Sequence, residues 1–299
     1  MDKELALKAK HIRSRVLHHI LENGGGYMSQ ACSSSELLAA LYGAILNIGP
    51  SLGEPIPGPF TGVPGPDHAT ETGALYNGEK SPERDRFIFS PVHYALVLYA
   101  TLIEFGRLAP EAMKQFNVDG TKVELIGAEH SPGHEVTAGS LAQAVSQALG
   151  IAMARKLRGE TGKVWVFMSD GEYEEGQTWE TLAAAGFHKM ENLHILVDAN
   201  GFQCDGIMTG VGTVEPMKER ILSFGCACEE VDGHDIHAII QASRVSHPGK
   251  PLVIIARTNP CHGLELLRER WPRLHYLRFK SEDEKQRYYN AWLEMQKEC

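Results

Sequence analysis

The sequence predicts an α/β protein with a doubly wound, mostly parallel sheet that is covered by helices on both faces. Three short runs are apolar and rich in β-branched residues: Val164–Met168, Leu193–Val197 and Pro251–Ala256. Such runs are typical of parallel strands buried on both faces, because neither face needs polar residues. Helical periodicity lies between them, as at 177–187. The alternation of strand and helix predicts a layered α/β fold.

The first elements of the chain are helical. Leu5–Leu21 carries apolar residues at helical spacing, and a glycine-rich break follows at 23–26. Three serines at 33–35 and Glu36 form a capping-box pattern, which predicts a second helix that starts there and reaches about Ile48. The segment at about 49–81 is rich in Gly and Pro and has no periodicity, so it predicts an inserted loop. A surface loop is the simpler interpretation, and a cover for a site is the alternative.

The later elements alternate again. A strand leaves the charged turn at Arg84–Asp85, an alanine-rich helix occupies 142–157, and a short strand at 224–231 precedes a helix that reaches Val245. A helical tail begins at about 264, and its terminal helix is capped at Ser281. No repeat or compositional break divides the chain, so we expect a single domain over residues 1–299.

Composition excludes several classes of protein. A net charge of −9 and the absence of a basic run argue against a nucleic-acid surface. Six scattered cysteines form neither a disulfide framework nor a zinc pattern, and Cys204, Cys226 and Cys228 are predicted to be buried thiols. The N-terminal residues lack the apolar core of a signal peptide, and no apolar run is long enough to span a membrane. We therefore expect a soluble, cytoplasmic protein.

Two predicted strands end on polar residues thirty positions apart. Asp170 follows the strand at 164–168, and Asn200 follows the strand at 193–197. Open α/β sheets bind ligands at the carboxyl ends of their strands. A carboxylate, an amide carbonyl and a nearby backbone carbonyl would suit Mg²⁺ or Ca²⁺ holding a diphosphate. The alternative is that both side chains only cap helices.

The stretch from Lys163 to Gly206 resembles the thiamine-diphosphate motif of transketolases. It contains Ser169-Asp170-Gly171, then Glu175-Gly176 with Glu180, then Asn192-Leu193 and Asp198-Ala199-Asn200. Ser169 departs from the family, which has glycine there. The resemblance implies bound thiamine diphosphate and a divalent cation, Mg²⁺ or Ca²⁺, with Asp170, Asn200 and the Phe202 carbonyl as metal ligands. It implies a cofactor-binding set formed by Gly139, Ser140, Leu141, Asp170, Gly171, Glu172, Asn200 and His275.

Further segments extend the resemblance to catalytic positions. The Arg84–Ser90 segment leads to His93, the run at 129–141 contains His130, and the turn at 260–263 precedes His275. These histidines are implied to surround a sugar substrate, with His262 as a second candidate for the position given to His275. Glu175 and Glu180 are implied to be catalytic carboxylates near a subunit interface. Three departures bear on the donor: Tyr27 replaces a donor-facing histidine, and Ala142 and Ala144 replace glycines.

The resemblance also implies a partner. In transketolases, the glutamate that activates the cofactor belongs to a separate pyrimidine-binding domain, which we expect on a second subunit of an α2β2 heterotetramer. The implied reaction transfers a two-carbon ketol unit from a ketose sugar to an aldehyde acceptor. One alternative is the alpha subunit of a 2-oxo-acid dehydrogenase. Another is a non-catalytic relative that only binds the cofactor.

Overall fold

The computed structural model describes residues 1–66 and 68–297, and a five-stranded parallel sheet forms its centre. The spatial order of the strands is β1-β2-β3-β5-β4, and every neighbouring pair is parallel. This architecture confirms the predicted fold class. The bounds are β1 Arg86–Phe89, β2 Val164–Ser169, β3 Leu193–Ala199, β4 Ala227–Asp232 and β5 Leu252–Arg257.

Helices cover both faces of the sheet. The bounds are α1 Asp2–Asn23, α2 Met28–Ala40, α3 Ala95–Glu104, α4 Gln143–Leu157, α5 Gly176–Phe187, α6 Met217–Ser223, α7 Ile236–Ala242 and α8 Glu282–Lys297. Shorter elements are a helical turn at Met208–Val211, a π turn at Leu41–Ile45, and two-residue antiparallel ladders that pair Gly25–Gly26 with Leu277–Arg278 and Phe202–Gln203 with Gly206–Ile207.

Two apolar cores lie on opposite sides of the sheet. Trp165 and Phe167 of β2 pack into the core that includes α1, α2 and α3, whereas Val164 and Val166 pack into the core that includes α4 and α5. Successive side chains of a strand point to opposite faces, so one strand contributes to both cores. Burial on both faces explains the apolar runs in the sequence. Among the described residues, no helix is long and apolar enough to cross a membrane.

The prediction of a helix start at the serine run is wrong. Helix α2 begins at Met28, and residues 33–35 lie buried inside it. Ser34 and Ser35 donate to the carbonyl oxygens of Gln30 and Ala31, one turn earlier. A serine hydroxyl can bond within the helix in this way, and the capping pattern alone does not distinguish the two arrangements.

The inserted segment at 49–81 contains no strand or α-helix among its described residues, 49–66 and 68–81. It is nevertheless attached to the domain. Leu52 donates its backbone N–H to Leu75, Phe60 donates to Gly120, and Tyr76 is buried in the core. The tail is a short 3₁₀ segment and then α8, where the Ser281 hydroxyl caps the start by accepting from the Glu284 N–H at 3.1 Å. The predicted span 1–299 includes residues 67, 298 and 299, which lie outside the described residues.

Candidate active site

The carboxyl ends of β2 and β3 bring the predicted metal ligands onto two adjoining turns. The Asp170 carboxylate accepts the N–H of Gly201 at 2.7 Å and that of Gly171 at 2.9 Å. The Asn200 side-chain oxygen accepts the N–H of Phe202 at 2.9 Å. β2 and β3 are adjacent and parallel, which explains how residues thirty positions apart come together.

Electrostatics at these turns favour a cation. Asp170 and Asp198 are both buried, and no lysine, arginine or histidine of the described chain forms an ion pair with either. Burial, and next the charge of Asp198, raises the pKa of Asp170 to about 8. A divalent cation would stabilise the ionised form of Asp170, and it binds oxygen ligands of this kind. The residues therefore fit the implied metal.

Asp198 organises the site, and sequence reasoning missed its role. Its carboxylate accepts hydrogen bonds from Ser33 at 2.5 Å, Thr258 at 2.5 Å and Tyr94 at 3.0 Å. Burial raises the pKa of Asp198, while these hydrogen bonds favour the charged form. The side-chain nitrogen of Asn200 donates to the Tyr94 hydroxyl at 3.0 Å, so the Asn200 oxygen is directed elsewhere. The available signal was the position of this aspartate, two residues before Asn200 in the sequence.

Glu172 does not lie on the surface of the candidate site. Its carboxylate is fully buried and accepts from the backbone N–H groups of Ser169 and Ala142, at 2.9 Å and 3.1 Å, and from the Ser90 hydroxyl. A group without exposed surface cannot touch a cofactor in this conformation. Glu172 instead joins the end of β2 to the start of α4. Ser169 completes a capping box with Glu172, which gives the departure from glycine a structural reason.

A cavity of about 480 Å³ opens beside these turns. Eight of the predicted site residues line it, while Ser140 and Glu180 lie on the surface away from its lining. Cys204 also lines it and is exposed, so the prediction of a buried thiol there is wrong, whereas Cys226 and Cys228 are buried as predicted. The predicted residues in the lining are His93, Gly139, Leu141, Gly171, Glu175, Asn200, Phe202 and His275.

Four aromatic rings form one wall beside this cavity. Tyr27 makes edge contacts with His93, His275 and Tyr276, at centroid distances of 5.7, 5.3 and 4.9 Å. The rings of His93 and His275 are 5.2 Å apart. Burial, and next the neighbouring His275, lowers the pKa of His93 to about 3. Burial also lowers the pKa of His275, so both rings can hydrogen-bond a ligand as neutral imidazoles, and Tyr27 is in direct contact with them.

Two other candidate histidines lie elsewhere. The His130 ring stacks on Phe60 at 4.3 Å, and its Nε2 is 3.1 Å from the Glu124 carboxylate, so the structure does not place it with His93 and His275. His262 stacks on His234 at 3.8 Å in a separate cavity beside Glu36. Of the two candidates for one position, His275 lines the cavity at the strand ends and His262 does not.

Residues 74–266 match the family described as transketolase, thiamine diphosphate binding domain. This chain belongs to the transketolase family. The match covers more than half of the sequence and includes both turns of the site.

Curated relatives extend the likeness over nearly the whole chain. A transketolase family protein of Sinorhizobium fredii is 32% identical over 283 residues, which are 92% of this chain and 91% of the relative. An apulose-4-phosphate transketolase subunit from Actinobacillus succinogenes is 30% identical over 91% of this chain and 90% of its own length. A 6-deoxy-6-sulfo-D-fructose transketolase subunit of a Clostridium species is 29% identical over 85% of this chain and 84% of its own length.

Solved transketolases share the fold. A transketolase from Pichia stipitis superimposes with a TM-score of 0.71 at 22% sequence identity. The alignment covers 98% of this chain and 44% of that protein. This chain therefore corresponds in fold to less than half of the solved enzyme.

Proposed function

We propose that this chain is the diphosphate-binding subunit of a split, thiamine-diphosphate-dependent transketolase that transfers a two-carbon ketol unit from a ketose to an aldehyde. The observation that carries this proposal is the meeting of Asp170, Asn200 and Phe202 beside a cavity lined by His93 and His275. Two curated relatives of similar length are named as subunits of transketolases, which supports the split arrangement.

The chain would hold the cofactor at the strand ends. Asp170, the Asn200 side-chain oxygen and the Phe202 carbonyl would bind Mg²⁺, and the diphosphate would lie against Gly171 and Gly139. An added Cβ would lie 3.8 Å from Gln203 at Gly171 and 3.7 Å from Ile126 at Gly139, and both of these neighbours line the cavity. When bound, thiamine diphosphate supplies the chemistry that breaks and forms the carbon–carbon bond.

The histidines would hold the sugar. His93 has its pKa lowered to about 3, so it is neutral near pH 7 and can hydrogen-bond hydroxyl or carbonyl groups of a donor. Tyr27, whose ring contacts both His93 and His275, is larger than the histidine that the family has at this position. We therefore propose a donor other than the common pentose and hexose phosphates. The names of the apulose and sulfofructose relatives support such a donor.

The partner would complete the site. We propose a second subunit that carries the pyrimidine-binding domain and its activating glutamate, in a cytoplasmic α2β2 heterotetramer. Glu175 and Glu180 are exposed and would face the subunit interface, where neighbouring carboxylates can share protons. The catalytic role of these two residues and of His130, and the cofactor contact of Ser140, stay predictions.

Two measurements test the proposal. Asp170→Ala should abolish Mg²⁺-dependent thiamine-diphosphate binding in calorimetry while circular dichroism shows an intact fold, because the cation loses its only carboxylate in the proposed ligand set. Unchanged affinity would refute the metal assignment. The purified chain without its partner should show no ketol transfer at saturating cofactor and Mg²⁺. Turnover by the verified-pure chain would refute the split-enzyme proposal, and cofactor binding without turnover by any reconstituted complex would favour a binding-only relative.

A further inference from the structure

Gln30 connects helix α2 to His275 across 245 positions of sequence. We propose that Gln30 is a positioning residue that holds His275 as a neutral imidazole with its proton on Nε2, ready to donate to an oxygen of a bound ligand. The inference rests on the proposed function for the identity of that ligand. The protonation state of the imidazole is inferred from the contacts of Gln30 and does not depend on the proposed function.

Hydrogen bonds hold both the nitrogen and the oxygen of the Gln30 side-chain amide. Its amide nitrogen lies 3.2 Å from His275 Nδ1 and 3.2 Å from the backbone oxygen of His275. Its amide oxygen accepts the hydroxyl of Ser29 at 2.9 Å. Gln30 is only 4% exposed, so these contacts are largely shielded from solvent.

The backbone carbonyl of His275 decides the orientation of the amide. A carbonyl oxygen only accepts hydrogen bonds, so the group of Gln30 that faces it must be the NH₂ group. The second hydrogen of that NH₂ group is available to Nδ1, which must then accept with its lone pair. A neutral imidazole that accepts at Nδ1 carries its proton on Nε2.

The surroundings agree with a neutral ring. A proton on Nδ1 would face the NH₂ group of Gln30, and two donors would oppose each other. The rings of His93 and Tyr27 contact the imidazole. The negative charge of Asp205 favours a protonated ring, because by itself it would raise the pKa of His275. Burial lowers the pKa of His275 despite Asp205.

The proton on Nε2 remains available to a ligand. In the described part of the chain, no residue hydrogen-bonds to His275 Nε2, and His275 lines the 480 Å³ cavity. A neutral N–H donor suits the carbonyl or hydroxyl oxygen of a sugar, or an oxygen of a diphosphate. Gln30 thus selects which hydrogen bond His275 can make in the cavity.

The test is nitrogen NMR of the full chain labelled with ¹⁵N-histidine, with the His275 signals assigned by their loss in His275→Asn. The native chain should show a protonated Nε2 and an unprotonated Nδ1 at pH 7. In Gln30→Glu, a carboxylate replaces the amide, so the proton should move to Nδ1 and the pKa of His275 should rise by about one to three. In Gln30→Met, which keeps the length, the preference for one tautomer should be lost.

Gln203→Glu is the matched control. Gln203 lines the same cavity but bonds to the Asp205 N–H rather than to His275, so the same change of charge should leave the proton on Nε2. A proton on Nδ1 in the native chain would overturn the proposal. An unchanged tautomer in Gln30→Glu, or an equal change in Gln203→Glu, would also overturn it.

A kinetic measurement connects the tautomer to activity. In the reconstituted complex, Gln30→Met should lower kcat/KM roughly fivefold, as expected for the loss of one oriented hydrogen bond. The NMR result does not depend on this kinetic outcome, because the NMR experiment needs neither partner nor substrate. Absence of ketol transfer in the native complex would refute the proposed function alone, whereas the wrong tautomer would refute the role of Gln30 alone.

Discussion

Replacing Glu36 by Gln tests how much the buried ion pair between α1 and α2 contributes to stability. The Glu36 carboxylate on α2 accepts from Arg13 of α1 at 2.5 Å and lies 3.2 Å from His234 Nδ1. Arg13 and Glu36 are 3% and 6% exposed. His234 Nε2 accepts the backbone N–H of Asn259 at 2.8 Å, so its proton is on Nδ1 and is donated to Glu36.

The magnitude follows from competing effects on Glu36. Burial alone would raise the pKa of this carboxyl, but the hydrogen bonds from His234 and Arg13 and the positive charge of Arg13 outweigh it and lower the pKa from 4.5 to about 2. At about 1.4 kcal/mol per pKa unit, the ionised form stabilises the fold by about 3 kcal/mol. Because the folded pKa is lowered, this stabilisation is present above pH 4.5 and is lost as the pH falls towards 2.

Glu36→Gln should therefore lower the free energy of unfolding by about 3 kcal/mol at pH 7, since it also leaves the Arg13 charge buried without its counter-ion. Urea unfolding at pH 7 measures this loss. Carbon NMR of the native carboxyl, titrated from pH 5 to pH 1.5, measures the pKa. Glu265→Gln is the matched control, because Glu265 pairs with Arg268 on the surface and should contribute less than about 1 kcal/mol. Equal losses in the two variants, or a pKa of Glu36 near 4.5, would refute the reasoning.

Three further changes have defined outcomes. Ala142 has a left-handed φ of 63°, so Ala142→Gly should raise the free energy of unfolding, measured in urea, by about 1 kcal/mol. The control Ala144→Gly, inside α4, should lower it by about as much, and a loss of stability in both variants would contradict backbone strain at Ala142. Ser33→Ala, which removes a hydrogen-bond donor from the buried Asp198 carboxylate in β3, should cost about 1–3 kcal/mol by the same method, and no loss would contradict the network. Tyr27→His should shift the reconstituted complex towards xylulose 5-phosphate in assays against a panel of modified ketoses, and a native preference for xylulose 5-phosphate would contradict the argument.

The strands and their polar ends were predictable because the signal is local. Burial on both faces leaves an apolar run, and the residue after each run must lie at the carboxyl edge of the sheet. That reasoning located Asp170 and Asn200. It could not locate Ser33, whose partner Asp198 is 165 positions away, or separate a capping serine from a serine inside a buried helix. The family resemblance placed Glu172 in the cofactor-binding set, because the sequence does not show that Ser90 and Ala142 hydrogen-bond to its buried carboxylate.

Helix α2 explains why the strand ends alone do not define the site. All thirteen residues of this helix are buried, so each polar side chain on it needs a partner inside the protein. Ser33 bonds to Asp198, Gln30 to His275, and Glu36 to Arg13. These contacts join β3, the aromatic wall beside the cavity and helix α1 through one buried helix. Substitution of either Gln30 or Glu36 should therefore lower the free energy of unfolding. The two losses should add within about 0.5 kcal/mol in a double-mutant cycle, because the residues lie about 9 Å apart along the helix and share no hydrogen-bond partner among the described residues.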